Sequence, residues 1–228
     1  MHVVLLPGAG GSGWIWSRVV PLLEDAGHTA VAVDLPADDE DAGLPRYLEI
    51  AHAACAYAEE VLVVGQSLGG FTAAMLADHL VRAGTPPVGL AFVNAMVPLP
   101  GETPGEWWGN VDSETARLDA ARAGGWTEEI DLEVYFLHDV DPAVAAEGES
   151  EQHEETEAAF VSPCAIATWP DVPTTVIAGA DDRFFPLALQ QRVARERLGV
   201  EPVVVPGGHL AALSEPEALA GVLLGLSR

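Results

Sequence analysis

Lysine is absent from this chain of 228 residues, and its 10 basic residues, all arginine, face 35 aspartates and glutamates, giving a formal charge of −25. A surface so short of cations repels phosphate, which excludes nucleic acid and an anionic membrane surface as expected partners. Polyanionic carriers such as coenzyme A are disfavoured too, unless a local arginine cluster overrides the net charge. Cysteine is scarce: Cys55 and Cys164 make no metal-ligand spacing and read as small core hydrophobes suited to a reducing compartment. No apolar run approaches the length of a membrane-spanning helix. Met1-His2-Val3-Val4-Leu5-Leu6 enters strand-like sequence without a basic leader, so a cytoplasmic location is expected. No repeat recurs at a fixed period, which excludes a solenoid. The acids of Asp38-Asp39-Glu40-Asp41 are adjacent rather than convergent, so the run reads as a solvated loop, and no metal or cofactor is expected.

What is present is an alternation of apolar strands and helix-like segments, in a length that suits one sizeable domain. Strands are expected at His2–Leu6, Thr29–Pro36, Val61–Gln66, Val88–Asn94, Thr174–Ala178 and Pro202–Val205. Helices are expected from Trp14 through Leu23, from Leu44 to Ala58, after the third strand up to Gly84, and from Glu215 to Leu226 with Ser214 as cap and Pro216 in its first turn. The pattern predicts an α/β fold with a mostly parallel six-stranded sheet covered by helices on both faces.

The alternation fails between Leu99 and Trp169, where tryptophans are mixed with acids. A structureless loop of that length is improbable in a compact domain, so the segment reads as an inserted helical lid. The expected division is a core of residues 1–98 and 170–228 with a lid of 99–169. Candidate lid helices run from Ser113 to Ala123 and in two pieces between Pro142 and Phe160, with Asp141-Pro142 as N-cap and first-turn proline. The acidic stretch Glu147 to Glu157 reads as an exposed helical face. His138-Asp139 could point into a pocket, but a structural role is the first reading.

The one stretch that suggests chemistry is Val61-Leu62-Val63-Val64-Gly65-Gln66-Ser67-Leu68-Gly69-Gly70, a buried strand turning at once into a helix with Ser67 framed as G-x-S-x-G. A nucleophile on so sharp a corner needs neighbours without bulk two residues before and after it, and Gly65 and Gly69 occupy those places. The helix N-terminus beneath offers free N–H groups to developing negative charge.

A serine hydroxyl needs a base, and the base needs a carboxylate to orient it. Of seven histidines, His209 alone sits on a glycine-rich loop, Pro206-Gly207-Gly208-His209, just beyond the last strand, where parallel sheets place their sites. The loop after the fifth strand, Gly179-Ala180-Asp181-Asp182-Arg183-Phe184-Phe185-Pro186, offers two aspartates, while Asn94 is neutral and cannot stabilise an imidazolium through charge.

Ser67, an aspartate, then His209 is the chain order of the α/β-hydrolase family, which this chain resembles over nearly its whole length. A G-x-x-D-x-x-x-P run common in the family fits Gly179, Asp182 and Pro186, which selects Asp182 and keeps Asp181 in reserve. The resemblance implies a six-stranded core without the family's first two strands. More narrowly, the loop Gly8-Ala9-Gly10-Gly11-Ser12-Gly13 followed by Trp14-Ile15-Trp16 resembles the branch of small-ester hydrolases and hydroxynitrile lyases. Lyases of that branch carry threonine where this chain has Gly8, and a lid lysine that it lacks. The resemblance therefore implies an esterase-like member, although a histidine common before that glycine is Pro7 here. It also implies Ala9 and Leu68 N–H as oxyanion donors.

The expected function is hydrolysis of a small, neutral, partly apolar carboxylic ester through an acyl-enzyme on Ser67, with His209 as base and Asp182 as its orienter. The expected pocket is lined by Gly8, Trp14, Met96, Trp107, Trp108, Tyr135, His138 and Leu210. Lyase, thioesterase or perhydrolase chemistry in the same pocket is the first alternative, and a ligand-binding protein with little turnover the second. A small molecule is the expected partner, and a homodimer through the tryptophans is the alternative to their facing the pocket.

Overall fold

A computed structural model describes every residue except Ala56, Tyr57, Glu149, Gln152, Ser227 and Arg228. Six strands, β1 (His2–Leu6), β2 (Thr29–Ala32), β3 (Val61–Gln66), β4 (Gly89–Val93), β5 (Thr174–Gly179) and β6 (Val203–Val205), form one sheet in the order β2-β1-β3-β4-β5-β6. Every neighbouring pair is parallel, with His2 opposite both Thr29 and Val61. The near-continuous apolar runs of β1 and β3 follow from burial on both faces: alternate residues feed two separate cores. Val4, Leu6, Val61 and Val63 join one with α2 (Leu44–Ala54), α3 (Gly69–Arg82) and α9 (Leu187–Leu198). Val3, Leu5, Leu62 and Val64 join the other with α1 (Val20–Asp25), α10 (Ala211–Ser214) and α11 (Pro216–Gly225).

Four expected elements differ. The ladder of β2 ends at Ala32 because the chain then turns to the glycine loop: Asp34 Oδ1 accepts from Gly13 N–H at 2.8 Å and Leu35 N–H donates to Gly11 O. The expected helix from Trp14 is a 3-10 turn, Gly13–Trp16, capped by Ser12, and the α-helix starts afresh at Val20. Pro21 fits the fresh start: it lies in the first turn of α1, where its missing N–H is no loss, whereas a helix continuous from Trp14 would need that N–H to donate. At the C-terminus, Ser214 does not cap the last helix. It closes α10, and Glu215 separates α10 from α11, whose first residue, Pro216, has no N–H to need a cap. The expected extension of α2 to Ala58 crosses Ala56 and Tyr57, outside the described residues; the helix ends at Ala54.

Between β4 and β5 the described residues form five helices: α4 (Pro104–Asn110), α5 (Ser113–Gly124), α6 (Leu132–Tyr135), α7 (Pro142–Glu147) and α8 (Glu157–Phe160). Asp141 caps α7 as its sequence suggests, accepting from Ala143 N–H at 2.8 Å. Helices α4 and α6 were not expected, although Thr103 and Glu106 make a full capping box on α4. The acidic stretch is not one exposed helical face. Its described residues between α7 and α8 are turns or irregular chain, Glu149 and Gln152 lie outside the described residues, and Glu155 turns inward. No helix among the described residues is long and apolar enough to cross a membrane.

Candidate active site

The end of β3 sets the site. Ser67 takes a left-handed backbone conformation, φ 50°, rare for a residue with a Cβ. The corner closes because its neighbours lack bulk: a Cβ on Gly65 would lie 2.5 Å from Gly69 O, and one on Gly69 would strike Pro7 O. The first glycine loop comes equally close, since a Cβ on Gly8 would sit 2.8 Å from Ser67 Cβ and 2.5 Å from Gln66 Oε1.

His209, on the loop after β6, lies with Nε2 3.1 Å from Ser67 Oγ and Nδ1 2.9 Å from Asp182 Oδ2. A carboxylate only accepts, so Nδ1 carries the proton and Nε2 turns its lone pair to the serine hydroxyl. Asp182 is itself saturated: Oδ1 accepts from Phe184 and Phe185 N–H, and Oδ2 also from Gln190 Nε2. Asp181 is exposed and takes no part in this chain of bonds. The rings of Phe136, Phe184 and Phe185 stand edge-on to the imidazole with centroids 5.1 to 5.3 Å away, which fixes its plane and excludes water.

The backbone of His209 is pinned as firmly as its ring. Asn94, at the end of β4 with φ 46°, donates from Nδ2 to Gly208 O and His209 O and accepts from Gly179 N–H, so one amide ties three strand-end loops together. Gln66 Nε2 donates to His209 O as well. Sequence reasoning weighed Asn94 only as an acid. A polar residue ending an apolar strand was the signal for its positional part.

Ser67 opens onto a cavity of about 860 Å³. Gly8, Ala9, Trp14, Leu68, Met96, Trp108, His138 and Leu210 line it. Trp107 and Tyr135 do not. Trp107 points into the core, donating Nε1–H to Val97 O, and Tyr135 is buried with its hydroxyl bound to Thr127 O and Arg117. Their neighbours Trp108 and Phe136 face the cavity instead, and Phe136, Phe160 and Phe184 are lining aromatics that the sequence reading did not name. Among the described residues, Glu133 is the single ionisable side chain in the lining apart from the two histidines, and no arginine is part of it. The N–H groups of Ala9 and Leu68 find no acceptor among the described residues. Those residues also hold no cluster able to bind a metal.

These features sit on a recognisable framework: the chain belongs to the alpha/beta hydrolase family, which it matches over residues 3–222. It is 34% identical over 129 residues to methylesterase 3 of Arabidopsis thaliana, a stretch covering 51% of this chain and 47% of that protein. It is 36% identical over 110 residues to the alpha-hydroxynitrile lyase of the same plant, covering 42% and 40%. The matches span about a third to a half of the length of such curated relatives. Its fold is that of polyneuridine aldehyde esterase, with a TM-score of 0.79 over 100% of this chain and 99% of that one at 20% identity.

Proposed function

We propose that this protein hydrolyses a neutral, largely apolar carboxylic ester through an acyl-enzyme on Ser67. The observation that carries the reading is the bonded chain from Ser67 Oγ through His209 to Asp182, opening on a cavity beside two backbone N–H groups without an acceptor among the described residues. Ser67 Oγ attacks the ester carbonyl while His209 Nε2 takes its proton. Asp182 stabilises the resulting imidazolium. Ala9 and Leu68 N–H hold the carbonyl oxygen as it becomes an alkoxide, each donor worth about 3 kcal/mol to the barrier. His209 then passes the proton to the departing alcohol, and a water, activated by the same imidazole, releases the acid.

The lining supports the substrate class. Aromatic and aliphatic walls favour an apolar ester, and a cavity whose lining, among the described residues, holds no charged group besides histidine except Glu133 offers nothing to an anionic one. Its volume of about 860 Å³ lies toward the upper end of the usual range for ligand pockets, which favours a larger ester than the sequence suggested. Esterase-type relatives agree with ester hydrolysis. Cyanohydrin cleavage fits less well, because the threonine that the resemblance gives to lyases is Gly8 here, and a Cβ there would lie 2.8 Å from Ser67 Cβ.

Hydrolysis of p-nitrophenyl esters of graded acyl length is the test. Turnover is expected to rise from acetyl to longer acyl groups, and Ser67→Ala is expected to reduce kcat by roughly 10⁶-fold. A Ser67→Ala protein with full activity would overturn the mechanism.

A further inference from the structure

We propose that two lid carboxylates, Asp139 and Glu155, are positioning residues for the chemistry inferred above, Asp139 for the loop carrying His209 and Glu155 for the loop carrying Ala9. The inference rests on that functional reading. Asp139 Oδ2 accepts from Gly208 N–H at 2.5 Å, in the residue immediately before the base. With Asn94 and Gln66 already holding the Gly208 and His209 carbonyls, the lid supplies the missing anchor on the N–H side. Glu155 Oε2 accepts from Gly10 N–H at 3.0 Å, in the residue immediately after Ala9, and Oε1 accepts from Tyr47 Oη at 2.6 Å.

The glycine loop needs such an anchor. Gly10 and Gly11 both have positive φ, 88° and 67°, and glycine has little preference of its own for that conformation over others. The turn around Ala9 is closed by one bond, Gly11 N–H to Gly8 O, so the direction of the Ala9 N–H depends on what fixes Gly10. A carboxylate held by a buried tyrosine fixes it.

A lid that only covered the pocket would not need these two contacts. It has other fastenings near Glu155: Thr156 N–H to Ala37 O, Thr156 Oγ1 to Asp39 O, and Arg18 to Glu147. Both carboxylates instead reach past the rim to backbone N–H groups one residue from the proposed machinery. In this arrangement the lid contributes to the geometry of the base and of the oxyanion donor together.

The experiment is steady-state hydrolysis of a p-nitrophenyl ester by Asp139→Ala, Asp139→Asn, Glu155→Ala and Glu155→Gln beside Ser67→Ala, with melting temperatures recorded. The alanine variants are expected to lose roughly 10- to 100-fold in kcat with KM within about 3-fold, as small misplacements do. Asparagine and glutamine keep an oxygen to accept the same N–H and are expected to stay within about 3-fold of the parent. Alanine variants that keep kcat, or that raise KM alone, would show the carboxylates to be fastenings only. Amide variants as damaged as alanine would also overturn the proposal. If an alanine variant does not fold, Asp139→Glu and Glu155→Asp move the acceptor by one methylene while keeping its charge, and the same kcat-selective loss is expected, with unchanged kcat overturning the proposal. Activity surviving in Ser67→Ala sinks the hydrolase reading itself, whereas its loss together with unchanged alanine variants sinks only the positioning.

Discussion

Two buried carboxylates, one at the strand ends and one at the root of the lid, have nearly the same surroundings and different partners. Asp182 collects Phe184 N–H, Phe185 N–H, Gln190 Nε2 and His209 Nδ1. Glu102 collects Leu99 N–H, Asn110 Nδ2 and both terminal nitrogens of Arg197. Each is more than nine-tenths buried and each accepts about as many bonds as its oxygens allow. Arginine never gives up its proton, so the Glu102–Arg197 pair is a fixed strut between the lid root and α9. Histidine can take up a proton and give it back, so in the proposed mechanism the same kind of carboxylate beside it serves a reaction. The function of a buried acid is thus read from its partner rather than from its burial.

The comparison predicts opposite defects from matched substitutions. Asp182→Asn keeps the size of the side chain and removes its charge, so His209 loses its orienter and the stabiliser of its cation. A fall in kcat of roughly 10⁴-fold is expected, with the melting temperature changing far less than in the Glu102 variant. Ester kinetics and thermal unfolding on the same preparation check both halves, and a large loss of stability with kcat preserved would erase the distinction between the two acids.

The two regions also differ in how legibly the sequence writes them. At the strand ends, local rules suffice: a β-branched run, glycines two residues either side of Ser67, and glycine-rich loops after β1 and β6 mark the sheet and its candidate site from the sequence alone. In the lid, the informative contacts join residues far apart in the chain, Asp139 to Gly208 and Glu155 to Gly10, and no local pattern announces them. Adjacent aromatics show the same limit. Trp107 and Trp108 share a helix, and Tyr135 and Phe136 straddle the end of another, yet in each pair one ring goes to the interior and the other to the cavity. Consecutive helical residues point about 100° apart, and which of them faces the pocket is set by the docking of the whole helix rather than by composition.

Glu102→Gln carries the structural half of the comparison. It leaves the Arg197 guanidinium buried without its counter-charge, and a loss of about 3 kcal/mol is expected on denaturant unfolding with kcat within a few-fold of the parent. Its pH dependence follows in sign. Burial works to raise the Glu102 carboxyl, but hydrogen bonds from Arg197, Asn110 and Leu99 outweigh it and hold the group below its ordinary value of about 4.5. The unfolded chain therefore takes up this proton first as pH falls. The stabilisation is present above pH 4.5 and declines as pH drops through the lower folded value. In Glu102→Gln that part of the acid limb is expected to flatten, and an unchanged acid limb would assign the pair no linkage.

The smallest effect belongs to a lid contact that resembles the Glu102 pair in chemistry alone. Arg18 meets Glu147 at 2.7 Å, but their side chains are 39% and 56% exposed, so water already solvates both charges. Losing one partner leaves nothing buried and unpaired, and such pairs contribute about 0.5 kcal/mol, less in salt. Arg18→Ala is expected to shift the unfolding free energy by no more than that, and the shift should vanish at high ionic strength. A loss comparable to that of Glu102→Gln would mean that the lid is held at its rim as well as at its root, with the positioning of Gly10 and Gly208 depending on a surface pair.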